Sequence, residues 1–173
     1  MSTNMEVGIL ILRIVAGLLF AGHGAQKLFG WFGGRGMSNF SGMLEKMGVQ
    51  PARLWAWASA LSEFLGGLGL VFGLLTPFAA AALIGDMLVA IIKVHVPKGV
   101  WNTNGGFEYP LTLTVVAFVV GLTGPGVYSL DSAIGLALPE PAAYLIALIV
   151  MLIGVIGALV AMPVVWRNAR RTT

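Results

Sequence analysis

Five uninterrupted apolar runs, at 7–29, 54–75, 78–96, 107–122 and 142–166, leave this chain few ways to fold. Each approaches the ~20 residues that a helix rising ~1.5 Å per residue needs to cross ~30 Å of hydrocarbon, the fourth being the shortest. The runs are continuous and do not alternate apolar with polar, so they do not read as strands of a barrel. Nor could they be covered in water. Hydrophobic residues make up 58% of the 173 and charged residues 10%, where a soluble domain carries roughly a quarter charged. The prediction is an all-α integral membrane protein, one membrane domain over 1–173, with the lipid bilayer as its solvent.

Absent chemistry narrows the function. With no Cys, dithiol redox centres, thiolate zinc sites and Cys-held iron–sulfur clusters are excluded, and no metal site is predicted. The net charge of +3 is small and its basic residues flank apolar runs, which marks membrane orientation rather than a nucleic-acid footprint.

Lys27, Arg35, Lys46 and Arg53 lie in or beside the first connection, Lys93 and Lys98 in or beside the third, and Arg167, Arg170 and Arg171 near the end of the chain. The N-terminal segment and the second and fourth connections have none. Five spans put these two sets on opposite faces, so the positive-inside rule predicts an outside N-terminus and a cytoplasmic C-terminus. The first run is read as a span and not a cleaved leader, because no Lys or Arg precedes it and no small-x-small site follows.

Within the first connection, Met37, Phe40, Met43, Leu44 and Met47 recur at spacings of three and four. They predict a short amphipathic helix, lying in the headgroup layer or packed on the bundle. Gly66, Gly67, Gly69 and Gly73 on the second run read as helix-packing glycines, with Gly69 and Gly73 at small-xxx-small spacing. Thr76-Pro77 predicts a tight turn and antiparallel neighbours.

Ionisable groups inside such runs cost at least ~2.5 kcal/mol each near the bilayer centre, so they need partners or a function. Arg13, Lys27, Glu63, Asp86, Lys93 and Glu108 balance as three basic and three acidic groups. Counted from the outer end of each run, Arg13 lies about 9 Å deep, Asp86 about 12 Å and Glu63 about 18 Å. These three predict an outer buried charge network, with Asp86 the favoured partner of Arg13. His23, Lys93 and His95 fall about 22–26 Å deep, with Lys27 and Glu108 near the inner boundary. Glu6, Arg13, His23 and Lys27 share about a 100° arc of the first helix, a polar stripe facing the bundle interior. Asp86 and Lys93 share a face of the third helix; His95 falls off it.

The segments "HGAQKLFG", "SEFLGGLGLVFGLLTPFAAAAL", "DMLVAIIKVH" and "GPGVYSLD", in this order and spacing, resemble the DoxX family of small bacterial membrane proteins over 7–135. The resemblance implies a four-helix transmembrane core, to which 142–166 adds a fifth, C-terminal transmembrane helix, and a place in the bacterial inner membrane. It also implies a redox setting. Related DoxD-type proteins look like the membrane subunit of a thiosulfate:quinone oxidoreductase, and other DoxX-like proteins are associated with complexes handling oxidative or thiol stress. Matching positions that make candidates are His23, Lys27, Glu63, His95, Glu108 and Asp131; no catalytic residue is assigned.

The leading functional expectation is a membrane component of a redox system that binds a quinone and works with a partner oxidoreductase. A quinone needs an apolar slot, donors for its two oxygens and a proton route, which imidazole and carboxylate groups supply near neutral pH. His23, Lys27, His95 and Glu108 are the candidate quinone and proton site. A b-type haem between His23 and His95 is the weaker cofactor reading. The alternatives are a non-catalytic anchor or assembly subunit recruiting a cytoplasmic enzyme, and a small proton-coupled transporter. A protein partner on the cytoplasmic side and a homo-oligomer are further expectations.

Overall fold

The computed structural model describes residues 2–136, 138–139 and 141–161. The end of the fifth apolar run and the C-terminal arginines lie outside the described residues, among which there is no strand. Among the described residues four helices are long and apolar enough to cross a membrane: α1 (Thr3–Leu28), α3 (Ala52–Phe72), α4 with its continuation (Thr76–Lys98) and α7 (Ala142–Ala161). A fifth, α5 (Glu108–Thr123), is apolar but shorter. Two short helices, α2 (Gly36–Lys46) and α6 (Leu130–Ala133), sit in the connections.

Helix α4 is central, packing on α3, α5 and α7, while α1 packs chiefly on α3. The main core joins Phe20, Leu70, Leu83, Ile84, Met87, Leu113, Val120 and Tyr144. Much of the outer surface is Ile, Leu, Val and Phe, a far larger apolar area than a water-soluble monomer exposes. Lipid is the medium that makes this surface favourable rather than costly.

Glycines set the closest helix approach. A Cβ at Gly17 would stand 2.6 Å from the Gly67 carbonyl oxygen, and one at Gly67 would meet the Ala21 backbone. Backbone cannot yield as a side-chain tip can, so α1 and α3 cross where only glycine fits. The spaced pair Gly69 and Gly73 does not form a helix-crossing motif. Gly69 packs on Ala79 of α4. Gly73 ends α3 at φ 63°, the left-handed conformation that favours glycine at a helix C-terminus.

Two further expectations resolve here. Helix α2 forms as its spacing required and packs on the bundle, with Met37, Phe40, Leu44 and Met47 joining Val49, Ala52, Ala56 and Ala158 in a second core. The third span does not run as one regular helix. After Ala90 it loosens into a π-helical turn, Ile91–His95, then a 3-10 turn, Val96–Lys98. Pro97 lacks the N–H that would bond back into a regular helix, and a wider turn accommodates the break. The 3.6-residue phase is lost there, which is why helical counting set His95 off the face of Asp86 and Lys93 while all three line one cavity.

Candidate functional site

The buried polar groups gather in two separate clusters, one at an end of the bundle and one nearer its middle. At the end where α1 begins, they fasten the connection after α5. The Arg13 guanidinium, 1% exposed, donates from one nitrogen to the Pro125 carbonyl and from the other to that of Tyr128 at 2.6 Å. Glu6 accepts from the Val127 N–H at 2.9 Å. Asp131, also 1% exposed, accepts from the N–H groups of Leu75 and Thr76 at 2.9 and 3.2 Å and acts electrostatically on Arg13. Those amides open α4 and have no acceptor within their own helix, so Asp131 serves as their cap from a distant loop. Gly73 is required a second time here, because the Arg13 guanidinium occupies the space a Cβ would fill.

This corrects the expected network. Among the described residues Arg13 pairs with neither Asp86 nor Glu63; its guanidinium is held by loop carbonyls, with Asp131 acting on it electrostatically. Depth counting had assigned residues by their Cα position and assumed that spans pair only with spans. It took no account of a loop folding back into the bundle to present carbonyls and a carboxylate.

Glu63 and Asp86 turn instead to Lys27. Its Nζ lies 2.7 Å from Glu63 Oε2 and 3.9 Å from Asp86 Oδ2, donates to Ser59 Oγ at 2.9 Å, and stands 4.7 Å from the centre of the Phe40 ring. Side chains on a helix lean toward its N-terminus. Lys27, near the C-terminal end of α1, therefore reaches back toward the middle of the bundle and into contact with α3 and α4.

Beside this triad lies a cavity of roughly 570 Å³ between α2, α3, α4 and α7. Its wall is mainly apolar, with Lys27, Ser59, Ser62, Asp86, Lys93 and His95 among its polar members. Trp55 also lines it, and its buried indole N–H has no hydrogen-bond partner among the described residues. Lys93 donates to the Leu159 carbonyl at 3.3 Å. His95 Nδ1 bonds the Gly105 carbonyl at 2.7 Å, so that nitrogen carries the proton.

The four candidate quinone-site residues thus divide. Lys27 and His95 line the cavity; His23 and Glu108 do not. His23 faces α5. Its Nε2 lies 3.2 Å from the Tyr109 hydroxyl and its Nδ1 3.2 Å from Gln26 Oε1, which engages both ring nitrogens. Glu108 is exposed at the start of α5, where its carboxylate accepts from the Asn102 N–H at 3.0 Å and closes the preceding loop. Sequence reasoning passed over Trp55, Ser59 and Tyr109, because Ser, Trp and Tyr in an apolar helix give no signal until the fold shows what they face. Among the described residues no group of three His, Asp or Glu converges as a metal site.

A bundle of apolar helices with one charged cluster beside an apolar cavity and a second tying down a loop defines a polytopic helical membrane protein. The chain matches the DoxX family over residues 8–96 and belongs to that family. It is 30% identical over 137 residues to a Bacillus subtilis protein named "Putative oxidoreductase CatD", covering 76% of this chain and 90% of that one. It is 32% identical over 126 residues to "Inner membrane protein YqjF" of Escherichia coli, covering 73% and 91%. Against "Uncharacterized membrane protein Rv3486" of Mycobacterium tuberculosis the identity is 27% over 133 residues, covering 71% and 78%. No solved structure is significantly similar to the chain.

Proposed function

We propose that the cavity binds a quinone and that the protein is the membrane component of a redox system, receiving electrons through a partner oxidoreductase. The observation that carries this reading is the indole N–H of Trp55 in the cavity wall, which has no partner among the described residues. A buried donor without an acceptor costs ~1–3 kcal/mol, and a quinone oxygen would accept from it. The remaining features fit the same ligand. The volume falls within the ~300–1,000 Å³ of small-molecule sites, the wall is mainly apolar, and the Lys27 ammonium offers a second donor. A bound quinone supplies reversible two-electron redox chemistry, which a chain without Cys does not supply through thiols. The name of the B. subtilis relative, an oxidoreductase, supports the same class. The assembly-subunit alternative is less favoured, because the apolar face of α2 that would have served as its docking surface is packed on the bundle.

Quinone retained by the protein purified in mild detergent, alone or with co-purifying proteins, is the test. Trp55→Phe removes the donor and keeps an aromatic ring. It is expected to lower retention roughly two- to tenfold, the equivalent of one hydrogen bond of ~0.5–1.5 kcal/mol, with expression unchanged. A protein that never retains quinone or responds to it would remove this reading.

We further propose that the cavity end of the bundle faces the cytoplasm and that α1 begins outside, in the bacterial inner membrane. Among the described residues, every Lys and Arg except the buried Arg13 lies in or toward the connections at the cavity end, as the positive-inside rule requires. An impermeant thiol reagent applied to intact cells should label a cysteine placed at Thr3 and spare one placed at Thr103. The reverse pattern would invert the orientation.

A further inference from the structure

We propose that the cavity is entered from within the bilayer, through an opening between α3 and α7, and that its occupant lies with a polar head toward Trp55 and His95 and an apolar chain along α4 toward Phe78. Three contacts fix how the walls line up. Ser62 of α3 donates to the Ala82 carbonyl of α4 at 3.1 Å. A Cβ at Gly85 of α4 would stand 2.8 Å from the Met151 side chain of α7. Further along, Lys93 donates to the Leu159 carbonyl. Helix α7 therefore runs beside α4 in the same direction, and α3 runs beside it in the opposite one. Ala147 and Val150 fall at the level of Phe78 and Ala82, and Trp55 falls toward His95.

Polarity divides along this axis. From Asp86 onward the α4 wall carries Asp86, Lys93 and His95, with Lys27, Ser59 and Trp55 on the other walls. From Phe78 to Gly85 its lining residues are Phe78, Ala81, Ala82 and Gly85, met from α7 by Ala147, Val150 and Met151. Ser62 stands at the boundary with its hydroxyl hydrogen spent on Ala82. The apolar arm is about 12 Å long at ~1.5 Å per residue from Phe78 to Asp86. A polar solute would lose its hydration in such an arm without compensation, whereas a hydrocarbon chain gains by entering it.

The two ends also differ in closure. At the Trp55 end, α2 and Ala158 of α7 join Ala52 and Ala56 of α3 in one core. Elsewhere α3 and α7 both pack on α4 but not extensively on each other. Phe78, Ala82, Val150 and Gly154 line the cavity and are nevertheless exposed, and a Cβ at Gly154 would meet nothing within 4 Å. These residues belong to helices that can span the membrane, so the medium at the opening is lipid. A side opening admits a ligand already dissolved in the bilayer. A quinone bearing an isoprenoid chain is the occupant that places oxygens at the polar end and hydrocarbon in the arm. That choice of occupant rests on the function proposed above; the side entry does not.

The test of entry uses the full chain in nanodiscs free of quinone. The chain has no Cys, so Ser59→Cys puts a single thiol in the cavity wall, beside the Lys27 ammonium that favours its reactive thiolate. Ser62→Cys is the second position should the first fail to fold. Bilayer-soluble N-phenylmaleimide should label this thiol, and a sulfonated maleimide in the water should do so about tenfold or more slowly. Gly154→Leu combined with Ala82→Leu fills exposed positions and should slow the bilayer-soluble reagent by about tenfold. Equal rates for the two reagents, or labelling indifferent to the double substitution, would overturn side entry. The occupant is read by retention of phylloquinone, a ring with an isoprenoid chain, against menadione, the same ring without one. Ala82→Leu should lower phylloquinone retention about tenfold, the loss of about two buried methylenes, and leave menadione unchanged. An equal effect on both would overturn the placement of the chain, and phospholipid extracted from the site in place of quinone would overturn the choice of occupant. Retention of neither quinone removes the function proposed above and leaves the labelling rates to decide the entry.

Discussion

Asp131→Ala is expected to destabilise the protein by about 3–5 kcal/mol, the scale of stranding a buried charge. Two losses combine. The Arg13 guanidinium loses its nearby negative charge and cannot shed its own proton. The Leu75 and Thr76 amides that open α4 lose their acceptor. Asp131→Asn, which keeps one acceptor oxygen but no charge, should fall between the wild type and Asp131→Ala. Thermal unfolding of the detergent-solubilised protein reads the series. Because Arg13 and Asp86 belong to separate clusters that share no partner, Arg13→Leu and Asp86→Leu should add within ~0.5 kcal/mol when combined. A clear recovery in that double variant would restore the pairing that depth counting favoured.

Lys27→Met should be nearly as damaging, for a different reason. Met keeps the length and apolar stem of Lys while removing the cation that lies against both Glu63 and Asp86. The two carboxyls then face each other in low dielectric, where like charges repel strongly unless one takes up a proton. Removing one carboxyl relieves the repulsion. Lys27→Met combined with Glu63→Gln should therefore recover part of the loss, with an interaction energy of ~0.5–3 kcal/mol in the double-mutant cycle. Strictly additive losses would show that the ion pair contributes nothing to folding.

Much of the architecture was legible because the bilayer is a demanding solvent. A helix crossing lipid must be long, apolar and internally hydrogen-bonded, so the apolar runs marked the helices before any tertiary contact was known. α2 was legible for a related reason: its apolar spacing fixed one face, although what that face covers was decided by the bundle. The same solvent makes charges inside spans conspicuous. Arg13, Lys27, Glu63 and Asp86 could therefore be named as a group requiring partners.

Which of them partner was decided by the tertiary structure. Lys27 reaches Glu63 and Asp86 because a long side chain leaning toward its helix N-terminus bridges a depth difference that Cα positions suggest is prohibitive. Arg13 takes the Pro125 and Tyr128 carbonyls because a loop folds back over the end of the bundle, and loop paths carry no periodicity that a sequence could display. His95 enters the cavity wall through a π-helical turn that resets the helical phase. Trp55 and Tyr109 acquire a role only from what packs opposite them. By itself the sequence determined the medium, the helices and the list of buried charges, all of which follow from the local cost of placing a residue in lipid. The tertiary structure alone determined the pairings, the cavity and the hydrogen-bond chain, which depend on distances between residues far apart in sequence.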